Sequence, residues 1–128
     1  MLSHVTLGVR DVERARHFYS PILEALGLRQ KFANTQWVGW QPSTGGRPLF
    51  IVTRPFDNEA PTVGNGQMVA LIADERALVD ECYALALSLG GADEGEPGLR
   101  PHYHQDYYGA YFRDPDGNKL CVCCHAPD

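Results

Sequence analysis

The fold is decided by one segment near the start of the chain, which reads HVTLGVRDVERARHFYSPILEALG from His4 to Gly27. Its first six residues alternate polar and apolar side chains, which predicts a half-buried strand. Asp11 then stands at an N-cap position before apolar residues spaced by three and four, which predicts an amphipathic helix. Gly27 ends this helix. The segment therefore predicts a strand followed by a helix that covers one face of a sheet.

The same order of elements returns later in the chain. From His4 to Met68 is 64 residues, and from Asp11 to Asp74, which is predicted to cap a second helix, is 63 residues. Three short strands are predicted after the first helix, and a short strand at 92–94, a long polar loop and a hairpin after the second. Because a repeat governs the fold, we predict an α+β protein of two βαβββ modules. The modules are expected to form an open, cup-shaped mixed sheet with the helices outside.

The predicted organisation is a single domain over residues 1–128. Module one covers about 1–54, a linker rich in proline and glycine covers 55–66, and module two covers about 67–128. A concave sheet face is a favourable place for a small ligand.

Charge and composition narrow the class of partner. The chain has 16 acidic and 11 basic residues and a formal net charge of −5, which argues against nucleic acid and anionic membranes as partners. No apolar run approaches the roughly 20 residues of a membrane span. The start has no signal-peptide pattern, and three of the four cysteines crowd into one segment. We therefore expect a reduced, cytoplasmic protein that binds a small molecule.

Strand alternation predicts which side chains face the concave side of the sheet. His4 and Met68 face it from the first strand of each module, and Cys121 and Cys123 face it from the last strand. In the hairpin partner of that strand, alternation leaves two sets open: Tyr107, Gly109, Tyr111 and Arg113, or Tyr108, Ala110 and Phe112.

Three stretches carry a family resemblance: residues 4–19, the hairpin turn 114–118, and the tract 98–104 with 107–110. Together they resemble the vicinal oxygen chelate superfamily, also called the glyoxalase/bleomycin resistance/dioxygenase superfamily, in a bacterial glyoxalase-like subgroup. The resemblance implies paired βαβββ modules, a homodimer, and a divalent metal such as Zn, Ni, Mn or Fe.

The resemblance also implies where metal ligands fall. Members that use metal have a histidine on the first strand, a histidine on the fifth and a glutamate on the eighth, and these positions fall on His4, Met68 and Cys121. Thioether and thiol are soft donors, poorly suited to the usual catalytic ions of such sites. We therefore expect a small-molecule-binding protein with a degenerate metal triad, and not a conventional metal-dependent lyase.

An alternative rebuilds the site elsewhere. His102 and His104 could form a displaced metal site with His4 and supply the catalytic base of a lactoylglutathione lyase-like or dioxygenase-like enzyme. They could instead line a binding site, with Arg100 and Arg54 as anion clamps. Aromatic residues that could form its walls, each equally an ordinary core residue, are Trp37, Trp40, Phe50, Tyr108 and Tyr111.

Overall fold

The chain forms two compact units, residues 1–64 and 65–128, in a computed structural model that describes all 128 residues. The boundary between the units falls inside the segment 55–66 that the sequence marks as a linker.

The first unit is a four-stranded mixed sheet with one helix. Its strands lie in the order β1-β4-β3-β2, with β1 parallel to β4 and the other neighbours antiparallel. The elements are β1 (His4–Gly8), α1 (Val12–Ala25), β2 (Leu28–Ala33), β3 (Trp37–Pro42) and β4 (Leu49–Thr53).

The predicted start and end of the first helix are confirmed. The Asp11 side chain accepts a hydrogen bond from the backbone N–H of Arg14 at 3.1 Å, and Gly27 follows the helix with a positive φ of 89°. Pro21 lies inside the helix without ending it. The helix packs Tyr19 against Phe50 and Trp40, with ring centroids 5.1 and 6.1 Å apart, so this aromatic group forms the core between helix and sheet.

The second unit repeats the architecture of the first. Its strands lie in the order β5-β8-β7-β6, with β5 parallel to β8. The elements are β5 (Val69–Ile72), α2 (Arg76–Ser88), β6 (Ala92–Leu99), β7 (Tyr108–Arg113) and β8 (Lys119–Cys124). The predicted pair of βαβββ modules is therefore confirmed. Neither helix is long and apolar enough to cross a membrane.

Two sequence expectations for this unit are wrong. The residue at the N-cap of α2 is Glu75 rather than Asp74, and no side chain caps the helix. The strand predicted at 92–94 continues to Leu99 as β6. Its pairing with β7 shifts register around Gly95 and Gly98, and such shifts break the alternation by which a strand is recognised in sequence.

The hairpin turn between β7 and β8 is held by one buried carboxylate, as its Asp-Pro-Asp-Gly-Asn sequence suggests. Asp114 accepts hydrogen bonds from the backbone N–H groups of Asp116 and Asn118 and from the Asn118 side-chain amide, each at 2.9 Å. Gly117 takes a φ of 95°. This turn fixes the register of the hairpin that carries the candidate site.

Candidate functional site

One face of the second sheet is covered by α2, and the other carries the polar groups. Tyr108 identifies the helix side, because its hydroxyl donates to Asp80 of α2 at 2.6 Å. Strand alternation then places Tyr111 on the opposite face, where it pairs with Cys121, while Gly109 pairs with Cys123. We call this opposite face the thiol face; its members are Tyr107, Gly109, Tyr111, Cys121 and Cys123.

The centre of the thiol face is a tyrosine ring that lies across a glycine. A Cβ atom at Gly109 would stand 2.8 Å from the ring of Tyr107, so only glycine leaves room for it. The Tyr107 hydroxyl lies 2.9 Å from the Tyr111 hydroxyl and 3.4 Å from the Cys121 Sγ. Because Gly109 has no side chain, the Tyr107 ring can lie across it and bring its hydroxyl to Tyr111 and Cys121.

Burial keeps these groups neutral. It raises the pKa of the Cys121 thiol to about 11, with a further contribution from Cys123. Burial and the contact with Cys121 raise the pKa of the Tyr107 phenol, and burial also raises that of Tyr111. Cys121 is fully buried, so near neutral pH it is a protonated thiol with a phenol partner.

A second polar group lies beside the first. The Nε2 atom of His104 lies 2.8 Å from Nδ1 of His125, and Nε2 of His125 lies 3.6 Å from the Cys123 Sγ. The backbone N–H of Asp106 donates to His104 Nδ1 at 3.2 Å. Both imidazoles also pack edge-on against the Tyr107 ring. A thiol and two imidazoles thus form one hydrogen-bonded chain.

Two cations flank the Tyr111 ring. The Arg100 guanidinium carbon lies 5.5 Å from the ring centroid, and the Lys119 Nζ lies 5.8 Å from it. Arg100 also donates to the carbonyl of Glu96 at 2.8 Å. Neither cation has a carboxylate within 4.0 Å. The thiol face therefore carries positive charge next to Tyr111 that no side chain neutralises.

The sequence-predicted residues of the second unit divide between the two faces. Arg100, Tyr111, Cys121 and His104 belong to or border the thiol face. Tyr108 lies on the helix side, where Asp80 holds its hydroxyl and Arg76 lies over its ring. The structure thus resolves the alternative that alternation left open, in favour of the set that contains Tyr111.

Two further residues predicted for this unit lie near its edges. Met68 precedes β5 and is 44% exposed. His102 packs against the ring of Tyr103, with centroids 4.2 Å apart, and makes no hydrogen bond to His104. The two loop histidines therefore do not act as a pair.

The residues predicted in the first unit do not form one site: Trp40 and Phe50 pack together in the core, with ring centroids 6.2 Å apart, and the others lie elsewhere. Phe50 is buried under α1 as core, and Trp37 packs on Phe32 at 5.1 Å. The exposed His4 has its Nδ1 2.8 Å from the Ser3 hydroxyl. Arg54 borders a surface cleft of about 620 Å³ that Arg10 and the first turn of α1 also line.

His125 was missed from the sequence, and Tyr107 was named there only as a member of one of the two open sets of strand residues. His125 follows Cys121 and Cys123 at the same spacing of two, so continuing the alternation past the end of β8 would have found it. Tyr107 precedes Gly109 by two residues, and a ring beside a strand glycine signals this kind of crossing. Both signals are local.

The donor set does not fit a hard divalent metal. The position that the resemblance assigns to a carboxylate is held by Cys121, a buried thiol whose pKa is raised to about 11, whereas a metal-bound thiol must lose its proton. No three side chains of His, Cys, Asp or Glu are grouped so that they could hold a metal ion.

The fold and these motifs place the chain in a known class. The model of the glyoxalase/bleomycin resistance protein/dioxygenase superfamily matches residues 1–122, and the chain belongs to this superfamily. No curated protein matches it significantly.

Solved structures agree with this assignment. A glyoxalase/bleomycin resistance protein from Albidiferax ferrireducens T118 is 35% identical, with a TM-score of 0.85 over 98% of this chain and 99% of that one. A lactoylglutathione lyase from Agrobacterium tumefaciens is 25% identical, with a TM-score of 0.67 over 97% and 92%. A glyoxalase-related enzyme from Fulvimarina pelagi shares the fold at 19% identity, with a TM-score of 0.75 over 97% and 87%.

Proposed function

We propose that this chain binds a small organic anion on its thiol face and is not a conventional metal-dependent lyase. The observation that carries the proposal is the neutral thiol of Cys121, which is fully buried and lies 3.4 Å from the Tyr107 hydroxyl. The superfamily resemblance assigns a metal-binding carboxylate to this position. A protonated thiol with a phenol partner supplies no negative charge to a cation, so it favours binding without metal.

The charge and hydrogen-bonding groups of the face suggest the ligand class. Arg100 and Lys119 flank Tyr111 without a carboxylate partner, and the Tyr111 hydroxyl lies 2.9 Å from the Tyr107 hydroxyl. Guanidinium and phenol groups together suit a carboxylate or an enolate oxygen. We therefore assign a small carboxylic acid as the ligand class.

The rebuilt metal site is not supported by the contacts of its members. His104 uses both ring nitrogens, one toward His125 and one toward the Asp106 N–H. His102 packs on Tyr103 instead. No observation therefore favours a metal-dependent lyase or dioxygenase built on His4, His102 and His104.

A calorimetric titration of purified protein with a panel of small carboxylic acids tests the proposal. We expect one or more of them to bind, and we expect Arg100→Met to weaken binding by about tenfold, the loss of one charge-assisted hydrogen bond. Arg29→Met, which changes an exposed arginine on β2, is the matched control and should bind as the parent chain does. If no carboxylate binds, or if both variants bind equally well, the proposal is wrong.

We also propose that the chain forms a homodimer in the cytoplasm. The superfamily resemblance supports the dimer, and the four free cysteines suit a reducing compartment. Sedimentation equilibrium of the purified chain tests the dimer directly, since a mass of about 14 kDa would contradict it.

A further inference from the structure

We propose that Cys123 is a nucleophilic thiol that adds to a conjugated carbonyl compound held on the thiol face. Its sulfur is 3.6 Å from His125 Nε2, and His125 is in turn hydrogen-bonded to His104. A nucleophile, an imidazole within reach of it, and a third group that orients the imidazole are the usual parts of an activated cysteine. The inference deepens the proposed function, on which it rests for the presence of a small ligand at this face.

The hydrogen bonds assign the proton positions along the chain of imidazoles. The Asp106 N–H donates to His104 Nδ1, so a neutral His104 carries its proton on Nε2 and donates it to His125 Nδ1. A neutral His125 then carries its proton on Nε2, which points at the Cys123 sulfur. An imidazole N–H held against the sulfur can donate to the negative charge that develops there as the sulfur forms its new bond.

The other three cysteines are more deeply buried than Cys123. Cys82 and Cys124 are buried on the helix side, and Cys121 is fully buried against Tyr107. Cys123 has the largest exposed fraction of the four, at 5%, and it pairs with Gly109. Its exposure and its contact with His125 together identify Cys123 as the candidate nucleophile.

The addition balances without any further reagent. The Cys123 sulfur loses its proton to water and forms a bond to the β-carbon of the conjugated alkene. The C=C π pair shifts to the carbonyl oxygen as an enolate, and water then returns a proton to the α-carbon. One S–H bond and one π bond are exchanged for an S–C and a C–H bond, with no change in overall oxidation state. A soft sulfur nucleophile suits this soft electrophile.

The test is the rate of reaction with N-ethylmaleimide, a conjugated alkene, followed by peptide mapping. We expect Cys123 to be labelled first in the folded chain. His125→Phe should slow that labelling by about tenfold, because the N–H toward the sulfur is lost. His125→Gln, whose amide N–H can take the place of Nε2, should retain most of the rate.

His104→Phe tests whether His104 acts by orienting His125, and not through the exposure of the Cys123 thiol alone. It leaves His125 in place but removes the group that sets its proton, so we expect an intermediate rate. Circular dichroism melting confirms that each variant is folded. Initial labelling at Cys82, Cys121 or Cys124, or an unchanged rate in folded His125→Phe, would overturn the proposal. The rate is measured without any carboxylate, so a failure of anion binding is a separate result.

Discussion

Two glycines show how single residues position aromatic rings in both units. Gly39 lies under the ring of Phe32, and Gly109 lies under the ring of Tyr107; a Cβ atom would stand 2.4 and 2.8 Å from the respective rings. In the first unit the ring only packs, on Trp37. In the second it carries a hydroxyl to Cys121 and Tyr111. An aromatic ring that lies across a strand glycine thus forms a hydrophobic contact in the first unit and part of a polar site in the second.

We predict that Gly109→Ala destabilises the protein by about 1–3 kcal/mol, the usual cost of overpacking, because the new methyl group displaces the Tyr107 ring. Urea unfolding of the variant measures the loss. In a Tyr107→Ala background the same substitution should cost much less, since the ring is gone. If Gly109→Ala costs the same in both backgrounds, the Tyr107 ring is not the reason that this position requires glycine.

At the scale of elements, α2 is held on its sheet by polar and apolar contacts. The Tyr108 hydroxyl donates to Asp80, and Val79, Cys82 and Ala86 are fully buried beneath the helix. Burial raises the pKa of the Cys82 thiol to about 12, and the nearby Glu81 adds to the shift. The face of α2 that packs on the sheet therefore includes the Cys82 thiol, which is protonated in the folded protein.

This thiol predicts a loss of stability at alkaline pH. A pKa raised in the folded state contributes stability that is complete below the unfolded value of 9.0 and is lost as the pH rises toward about 12. Near pH 10 the loss is about 1–2 kcal/mol. Urea unfolding of the parent chain and of Cys82→Ala at pH 8 and pH 10 measures it. The stability difference between the two proteins should shrink at the higher pH; a constant difference would contradict the prediction.

At the scale of the whole molecule, two units of one architecture carry different side chains at corresponding places. Each has a βαβββ topology with the same strand order, but only the second carries the thiols on its last strand. In the first, β4 is apolar and buried over Leu49–Val52. Both units therefore have the same backbone architecture, but only the second unit carries the polar site.

We predict that chelator leaves the protein unchanged. Because Cys121 is protonated and no group of three ligating side chains exists, EDTA should alter neither the melting temperature nor the calorimetric affinity for a carboxylate. Elemental analysis of the purified protein should find far less than one metal ion per chain. Stoichiometric metal, together with a melting temperature that falls on chelation, would contradict the proposed function.

Much of the fold was predictable from local patterns. The alternation of residues 4–9, the cap at Asp11 and the turn at 114–118 depend on neighbours in sequence, and the structure confirms each. The strand β6 was missed beyond residue 94, because the irregular pairing around Gly95 and Gly98 removes the alternation that a strand needs to be recognised. Its full length is visible only through its pairing with β7.

The candidate site was predictable only in part. Alternation identified Cys121 and Cys123 as face partners, and the same rule extended by two residues reaches His125. The pairing of His104 with His125 was not predictable, because it joins a loop to the segment after β8 across 21 residues.

What the sequence determined by itself is the repeated architecture and the parity of each strand, since both follow from contacts between near neighbours in the chain. The tertiary structure alone decided which face of β7 turns toward the helix, through the bond from Tyr108 to Asp80. It also decided that two thiols, two imidazoles and two phenols lie together on the other face. Such meetings depend on where a loop side chain comes to rest, and residue order alone does not specify that.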